Sequence, residues 1–243
     1  MPKSLIWLIV LLVAIGLFAT TSTRSPEKTN PADRKQVTEK PAPPLTKVPS
    51  DGNIAIDATW LIEPGKRVGQ ITGSTTLADL ERLYGKANVK AGPVPGPEGT
   101  TLQGAVLFPK DAHRTLTVIW KERSSPATAA NVRMSGKETL WHTAEGITLG
   151  TTLKELEQLN GGPFTLSGFD WDYGGTILSW GDQGKLRDRF QSKGGLVLRL
   201  APTKSVPQGI YEQVMGDQTF SSNTPAMHNV NPTVSEIIVM LQG

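Results

Sequence analysis

The chain has 243 residues, no cysteine and a formal net charge of +3. The absence of cysteine excludes disulfides, thiolate metal sites and thiol nucleophiles. Residues 1–53 hold seven basic and four acidic residues, which accounts for the whole net charge and leaves residues 54–243 neutral. Because nucleic-acid-binding proteins usually carry a basic surface, this neutral remainder argues against a nucleic-acid partner.

The N-terminus predicts export. Lys3 precedes an unbroken apolar run over residues 5–19, and a positive start followed by roughly 7–15 apolar residues is typical of a secretory signal. Extending the run to residue 21 gives a marginal membrane span, since about 17 apolar residues can suffice. We therefore expect residues 1–19 to be a signal peptide or a membrane anchor. The protein would be periplasmic or extracytoplasmic, with residues 5–21 as the tether to the inner membrane if the signal is not cleaved.

Residues 20–53 predict a disordered linker. Six prolines punctuate a stretch of threonine, serine and charged residues that has almost no large apolar side chain. Such a segment cannot bury enough surface to offset the entropy lost on ordering, and proline keeps it extended. The linker would hold the following domain away from a membrane, or form a disordered mature N-terminus.

A segment of fifteen residues occurs twice. Residues 71–85 align without gaps on residues 147–161, with nine identical positions. In each copy an acid follows a threonine by three residues, which is the pattern of a capping box; the pairs are Thr76 with Asp79 and Thr152 with Glu155. Leucines recur on one helical face, and a glycine stands where each helix would stop. We predict two capped helices and a duplicated module.

Short apolar segments after each helix predict a β meander. The predicted strands cover residues 105–108, 115–121 and 131–134 in the first copy, and 164–172, 176–180, 196–200 and 234–241 in the second. An insertion near residues 202–232 lengthens the second copy, and loops of that length are often functional or disordered. The fold class predicted is α+β, with two tandem repeats (residues 54–140 and 141–243) after an N-terminal apolar helix. Each repeat would pack a short helix on an antiparallel β meander. The two repeats would pack side by side and could share one continuous sheet.

The second helix region resembles a known kind of module. Its carriers are Leu149-Gly150-Thr151-Thr152-Leu153, Leu156, Leu159 and the Gly161-Gly162-Pro163 ending, with residues 75–85 as a weaker copy. A helix of this kind before a meander, in tandem, resembles the β-lactamase-inhibitor-protein and SmpA/OmlA-like modules. The resemblance implies a non-enzymatic protein that inhibits enzymes or scaffolds envelope assembly through a sheet face. No functional residue is carried across from it.

Residues 168–175 alternate aromatic and acidic side chains. On a strand, Phe169, Trp171 and Tyr173 would share one face and Asp170 and Asp172 the other. One interpretation is an aromatic core face with solvated carboxylates. The other is a recognition surface for an envelope protein or a glycan, since aromatic side chains dominate binding energies. The candidate binding residues are Phe169, Asp170, Trp171, Asp172 and Tyr173, together with Trp180 across the Gly174-Gly175 turn.

An enzyme is the alternative function. Asp170 and Asp172 would lie about 7 Å apart on an extended strand, within the separation used by inverting glycosidases. A cell-wall-directed hydrolase could therefore use these two acids or His142. The sequence has no phosphate-binding glycine motif, no zinc-ligand spacing and no serine-nucleophile elbow. We therefore predict no catalytic residue, metal or cofactor, and an exported, non-enzymatic binding or scaffold protein of the bacterial cell envelope.

Overall fold

The computed structural model describes residues 59–121, 127–191, 195–203 and 205–242. The predicted signal or anchor (residues 1–19) and linker (residues 20–53) lie outside these residues. The fold is α+β, made mostly of sheet with a few short helices. Within the described ranges, no helix is long and apolar enough to cross a bilayer. The described residues belong to one compact unit.

Four short α-helices occur in the described part of the chain: α1 (Leu77–Tyr84), α2 (Leu153–Asn160), α3 (Gln208–Tyr211) and α4 (Pro225–Val230). The first two are the helices predicted from the repeated segment, and both have a complete capping box. The Thr76 hydroxyl accepts a hydrogen bond from the Asp79 amide at 3.2 Å, and the Asp79 carboxylate accepts one from the Thr76 amide at 3.1 Å. The matching distances between Thr152 and Glu155 are 3.2 and 2.7 Å. These bonds satisfy amides that the first helical turn leaves unpaired.

The strands run in chain order as β1 (Leu61–Glu63), β2 (Arg67–Val68), β3 (Ile71–Thr72), β4 (Val89–Pro95), β5 (Thr101–Leu107), β6 (Leu116–Trp120), β7 (Ala129–Ser135), β8 (His142–Thr143), β9 (Thr165–Ser167), β10 (Ile177–Ser179), β11 (Leu196–Ala201), β12 (Thr219–Ser221) and β13 (Thr233–Met240). They form a six-stranded sheet of order β11-β13-β7-β6-β5-β4, a four-stranded sheet of order β3-β2-β1-β8, and a three-stranded sheet of order β10-β9-β12. Every pairing in the six-stranded sheet is antiparallel. Because β7 pairs with β13, strands from both sides of residue 140 share one continuous sheet.

One side of the six-stranded sheet carries the core. Side chains such as Leu107, Val118, Val132 and Ile237 are fully buried there, in one cluster with Leu80 of α1 and Leu156 of α2. The two tryptophans that precede β1 and β8, Trp60 and Trp141, meet edge to face with ring centroids 4.9 Å apart. The described residues thus share a single hydrophobic core.

The strand predicted over residues 164–172 is wrong beyond Ser167. β9 ends there, where the backbone of Gly168 lies close to the carbonyl oxygen of Gly216. Only glycine allows this close approach, because a Cβ at position 168 would collide with that oxygen. Asp170 then adopts a left-handed φ of 63°, which no strand contains. Residues 168–175 form a turn, so Phe169, Trp171 and Tyr173 do not share a strand face.

The insertion is folded rather than an irregular loop. It contains α3, β12 and α4, and β12 pairs with β9. Val214, Met227 and Val230 are fully buried. Its apolar residues therefore complete the core beside α2, which accounts for the order of a segment predicted as a loop.

Candidate binding surface

The six-stranded sheet has a second side, which we call the outer face. A row of residues facing one another across the strands marks it: Lys90, Val106, Thr117, Arg133, Ile238 and Val197. All but Lys90 alternate with buried neighbours along their strands, and each of the six is half-buried or exposed. Because side chains alternate between the faces of a sheet, this row lies opposite the core.

Large apolar side chains are exposed on the outer face. Four large hydrophobic residues in the described ranges are exposed: Leu140, Tyr173, Leu178 and Met240, at 44, 38, 46 and 39 %. Met240 is paired with Asn131, which lies two residues from Arg133 on β7, so both point outward. Met240 and Tyr173 belong to this one surface, and the contacts at its far edge show this for Tyr173.

The far edge of the outer face lies at β11. Arg199 is paired with Glu236, alternates with buried leucines, and points outward. Thr176 faces Arg199 in an isolated bridge and therefore lies on the same side of the sheet. The Arg199 guanidinium lies 5.4 Å from the centroid of the Tyr173 ring. Tyr173 and Thr176 thus extend the outer face past β11.

The β4–β5 hairpin bends over the outer face. The Arg133 side chain donates a hydrogen bond to the Pro95 carbonyl at 3.4 Å, and the Tyr173 hydroxyl donates one to Glu98 at 2.9 Å. In a flat sheet β4 would lie about 14 Å from β7, so these contacts require a strongly rolled sheet. Residues 95–101, which we call the hairpin tip, therefore cross above the centre of the face. Gly104 permits the bend, since a Cβ there would collide with the Val118 carbonyl oxygen.

A cavity of about 540 Å³ opens beside the hairpin. Its lining includes Leu102 of β5, Ile119 and Trp120 of β6, and Ala130 and Asn131 of β7. Ile119 is only 5 % exposed but lies outside the core cluster. The hairpin thus shelters a hollow that borders the core through Trp120.

The charges on this surface are unevenly matched. Arg199 and Glu236 form an ion pair at 3.2 Å, whereas no carboxylate in the described ranges lies within ion-pair distance of Arg133. The Nε atoms of Arg133 and Arg199 and the Oδ1 atom of Asn131 are buried without a hydrogen-bond partner among the described residues. A buried polar atom without a hydrogen-bond partner lowers the stability of the fold by about 1–3 kcal/mol. The outer face therefore combines exposed apolar area with unsatisfied polar groups.

Two of the predicted binding residues belong to the core. Phe169 is 3 % exposed and stacks on Tyr211, with ring centroids 6.2 Å apart. Trp180 is 4 % exposed and packs against Phe164 and Phe190. Neither ring is available to a partner, and Trp180 does not extend an aromatic surface across the Gly174-Gly175 turn.

The other four predicted residues lie at the surface of the turn. Trp171 is half-buried, donates to the Gly168 carbonyl at 2.9 Å, and meets the Tyr173 ring edge to face. Asp170 and Asp172 are exposed, and Asp170 accepts a 2.7 Å hydrogen bond from Tyr211. Burial, with this bond second, raises the pKa of Tyr211 to about 12. The hydrogen bond to Glu98 likewise raises the pKa of Tyr173. Of the six residues, Tyr173 is the one that contacts the hairpin tip.

The residues proposed for hydrolysis have separate surroundings. Asp170 lies in a left-handed turn, so the spacing expected for two acids on an extended strand does not apply. The His142 ring contacts the Leu140 carbonyl at 2.9 Å, on β8 in the four-stranded sheet. Within the described ranges, no three histidine, aspartate or glutamate side chains are grouped so that they could hold a metal ion.

A serine, a histidine and a glutamate do meet between α2 and α4. Glu157 accepts hydrogen bonds from Ser222 at 2.6 Å and contacts His228 at 2.8 Å. Nucleophilic catalysis needs the histidine beside the serine, but here the carboxylate stands between them. Ser222 is also fully buried and accepts from the Phe164 amide. This cluster fastens the insertion to α2.

Sequence reasoning missed Arg133, Arg199 and Glu98. The alternation along residues 131–134 and 196–200 could have placed both arginines opposite the core. No sequence signal could have shown that the hairpin tip reaches Arg133 and Tyr173, because that depends on how far the sheet rolls.

No protein-family model matches the chain, and neither a curated protein nor a solved structure is significantly similar to it. A proposal on function therefore depends on the geometry of the outer face.

Proposed function

We propose that the protein is an exported, non-enzymatic binding protein of the bacterial cell envelope that recognises a partner on its outer face. The proposal is supported mainly by the exposure of two large apolar side chains, Tyr173 and Met240, on the same side of one sheet. Contiguous exposed apolar surface rimmed by polar groups marks interaction sites. The half-buried Val106, Ile238 and their neighbours between the strands add to this area.

Export and tethering are supported by the sequence. The apolar run over residues 5–19 follows a positive start, and the linker over residues 20–53 is rich in proline. A linker of this composition is extended, and would hold the outer face away from the membrane and accessible to a partner.

A duplicated module is the second part of the proposal, supported first by matching hydrogen bonds. The Thr75 hydroxyl accepts from the Thr72 amide at 2.9 Å, and the Thr151 hydroxyl accepts from the Thr148 amide at 3.0 Å. The carbonyl of Thr75 then accepts from Ala129 of β7 at 3.0 Å, and that of Thr151 from Val234 of β13 at 2.8 Å. Each helix thus begins at one end of one of the two central strands.

Strand order supports the same proposal. β7 and β13 are antiparallel neighbours at the centre of the sheet, and β6 and β11 flank them. Beyond β6 lies β5, and beyond β11 the bridge at Thr176 leads to β10. The meander β4-β5-β6-β7 therefore corresponds to β9-β10-β11-β13, as if an approximate twofold axis ran between the central strands. Such a pair of modules fits the resemblance to tandem modules that bind partners through a sheet face.

Site-specific photo-crosslinking tests the proposal. A photoreactive amino acid at Thr117 or Ser135, both on the outer face, should give a crosslinked adduct in bacterial cells that produce the full chain. The same amino acid at Ala78, exposed on α1, is the matched control and should give none. Adducts at Ala78 alone, or none at either outer position, would contradict the proposal.

A further inference from the structure

We infer that the outer face binds an acidic protein segment flanked by apolar residues, with Arg133 as the anchor for its carboxylate; this rests on the proposed function. The exposed apolar area alone does not specify the chemistry of this partner.

Charge complementarity is the first step. Arg133 lies on β7, one of the two central strands, and no carboxylate within ion-pair distance neutralises it among the described residues. The neighbouring Arg199 is already paired with Glu236. Lys90 adds positive charge at the end of the row that contains Arg133. Arg133 thus carries a positive charge that no ion pair among the described residues neutralises, whereas Glu98 of the hairpin tip is held by Tyr173, and a complementary partner presents negative charge to Arg133.

The present partner of Arg133 is weak. Its hydrogen bond to the Pro95 carbonyl is 3.4 Å long, beyond the usual range for such bonds. A carboxylate would offer charge-assisted hydrogen bonds of roughly twice the strength of neutral ones. An acidic residue can therefore displace the hairpin carbonyl from the guanidinium at little cost.

The lining of the cavity is mixed. Leu102, Ile119 and Ala130 are aliphatic and receive apolar side chains, whereas Thr101, Gln103, Lys121 and Asn131 add polar groups. A protein segment combines apolar side chains with backbone polar groups and so matches both. Asn131 supplies a buried acceptor without a donor, two residues from Arg133 on the same side of β7. A peptide can satisfy both residues: its backbone N–H groups can donate to Asn131, and an acidic side chain can accept from Arg133.

Nucleic acid is disfavoured by the overall charge. Residues 54–243 are neutral, whereas nucleic-acid binding needs several basic side chains that contact phosphates. One arginine without an ion-pair partner among the described residues suits a single carboxylate.

Selection from a random peptide library displayed on phage tests the inference. The full chain, kept in solution with a nonionic detergent, should enrich peptides in which Asp or Glu is flanked by aliphatic residues. Arg133→Gln should weaken binding of those peptides by about tenfold or more, and added salt should weaken the wild type similarly. Arg82→Gln is the matched control, because Arg82 is exposed on α1 and pairs with Asp79; it should bind like the wild type. Soluble peptidoglycan fragments and a single-stranded oligonucleotide serve as competing probes.

Several results would overturn the inference. These are the absence of any enriched peptide, enriched peptides without an acidic excess, and unchanged binding by Arg133→Gln. Binding of the fragments or the oligonucleotide in place of peptides would overturn it too. A thermal unfolding curve for Arg133→Gln that matches the wild type shows that the loss is not misfolding. If the crosslinks at Thr117 persist while the peptide result fails, the proposed function stands and only the acidic chemistry is wrong.

Discussion

The two copies of the repeated segment, residues 71–85 and 147–161, start alike and end differently. Both helices begin with the same capping box and dock on a central strand through the same threonine carbonyl. Leu80 and its counterpart Leu156 are both fully buried. The start of each helix is determined by local hydrogen bonds, so matching residues give the same type of cap.

The ends of the two helices differ because different segments of the chain pack against them. Tyr84 of α1 is half-buried against Phe108, and its hydroxyl accepts from the Gln70 amide. Asn160 of α2 is 1 % exposed and bonds to the Trp180 carbonyl, the Gly162 carbonyl and the Leu186 amide. The insertion also packs on α2 through Glu157, which α1 does not match with an equivalent contact among the described residues. Sequence identity thus predicts the contacts that the two helices share. How deeply each helix end is buried depends on the segments of the chain that pack against it.

Truncating the matched leucines should give the largest effect. Leu80→Ala and Leu156→Ala each remove a fully buried side chain and should lower the free energy of unfolding by about 2–5 kcal/mol. If the two helices dock alike, urea unfolding should give values close to one another. A loss at Leu156 that is several times larger than at Leu80 would break the correspondence between the copies.

Changing the dissimilar ends should give a smaller and unequal effect. Asn160→Ala leaves two carbonyls and one amide without their partner and should cost about 2–4 kcal/mol. Tyr84→Phe is the counterpart control, and it removes one hydroxyl for about 0.5–1.5 kcal/mol. Both are measured by urea unfolding with circular dichroism. Equal losses would show that Asn160 does not organise the segment up to Leu186.

The smallest effect concerns the first cap at acid pH. The hydrogen bond from the Thr76 hydroxyl, with that from its amide second, lowers the pKa of Asp79 below its usual value of 3.8. A lowered pKa stabilises the fold above pH 3.8, and that contribution disappears as the pH falls through the folded-state value. Thr76→Ala should therefore raise the pKa of Asp79 towards 3.8 in an NMR titration. Asp111, held low by its hydrogen bond from Arg114, is the internal control and should not move.

The sequence predicts the elements of this fold better than their arrangement. Capped helices, glycine stops and the strands β5, β6, β7, β11 and β13 follow from periodicity and turn chemistry. β4 was missed because Gly92, Pro93 and Pro95 disfavour a strand; the structure accommodates them in an edge strand. The pairing of β7 with β13 joins residues a hundred positions apart, and no local pattern encodes it.

The candidate surface was predicted in part. Tyr173 was identified for its aromatic character, and the structure places it at the edge of the outer face. Phe169 and Trp180 were grouped with it on the assumption of a strand, but the close backbone approach at Gly168 turns the chain and buries both rings. The sequence does not predict that Arg133 lies beneath the hairpin tip, because that contact depends on how the sheet folds in three dimensions.

The central position of β13 has a consequence for the order of folding. This strand is the last in the chain among the described elements, yet it lies between β7 and β11. A chain that emerges N-terminus first cannot complete the six-stranded sheet until residues 233–240 are available. Pairings over such long sequence separations fold slowly, so the two parts of this sheet would join late, after synthesis of the final strand.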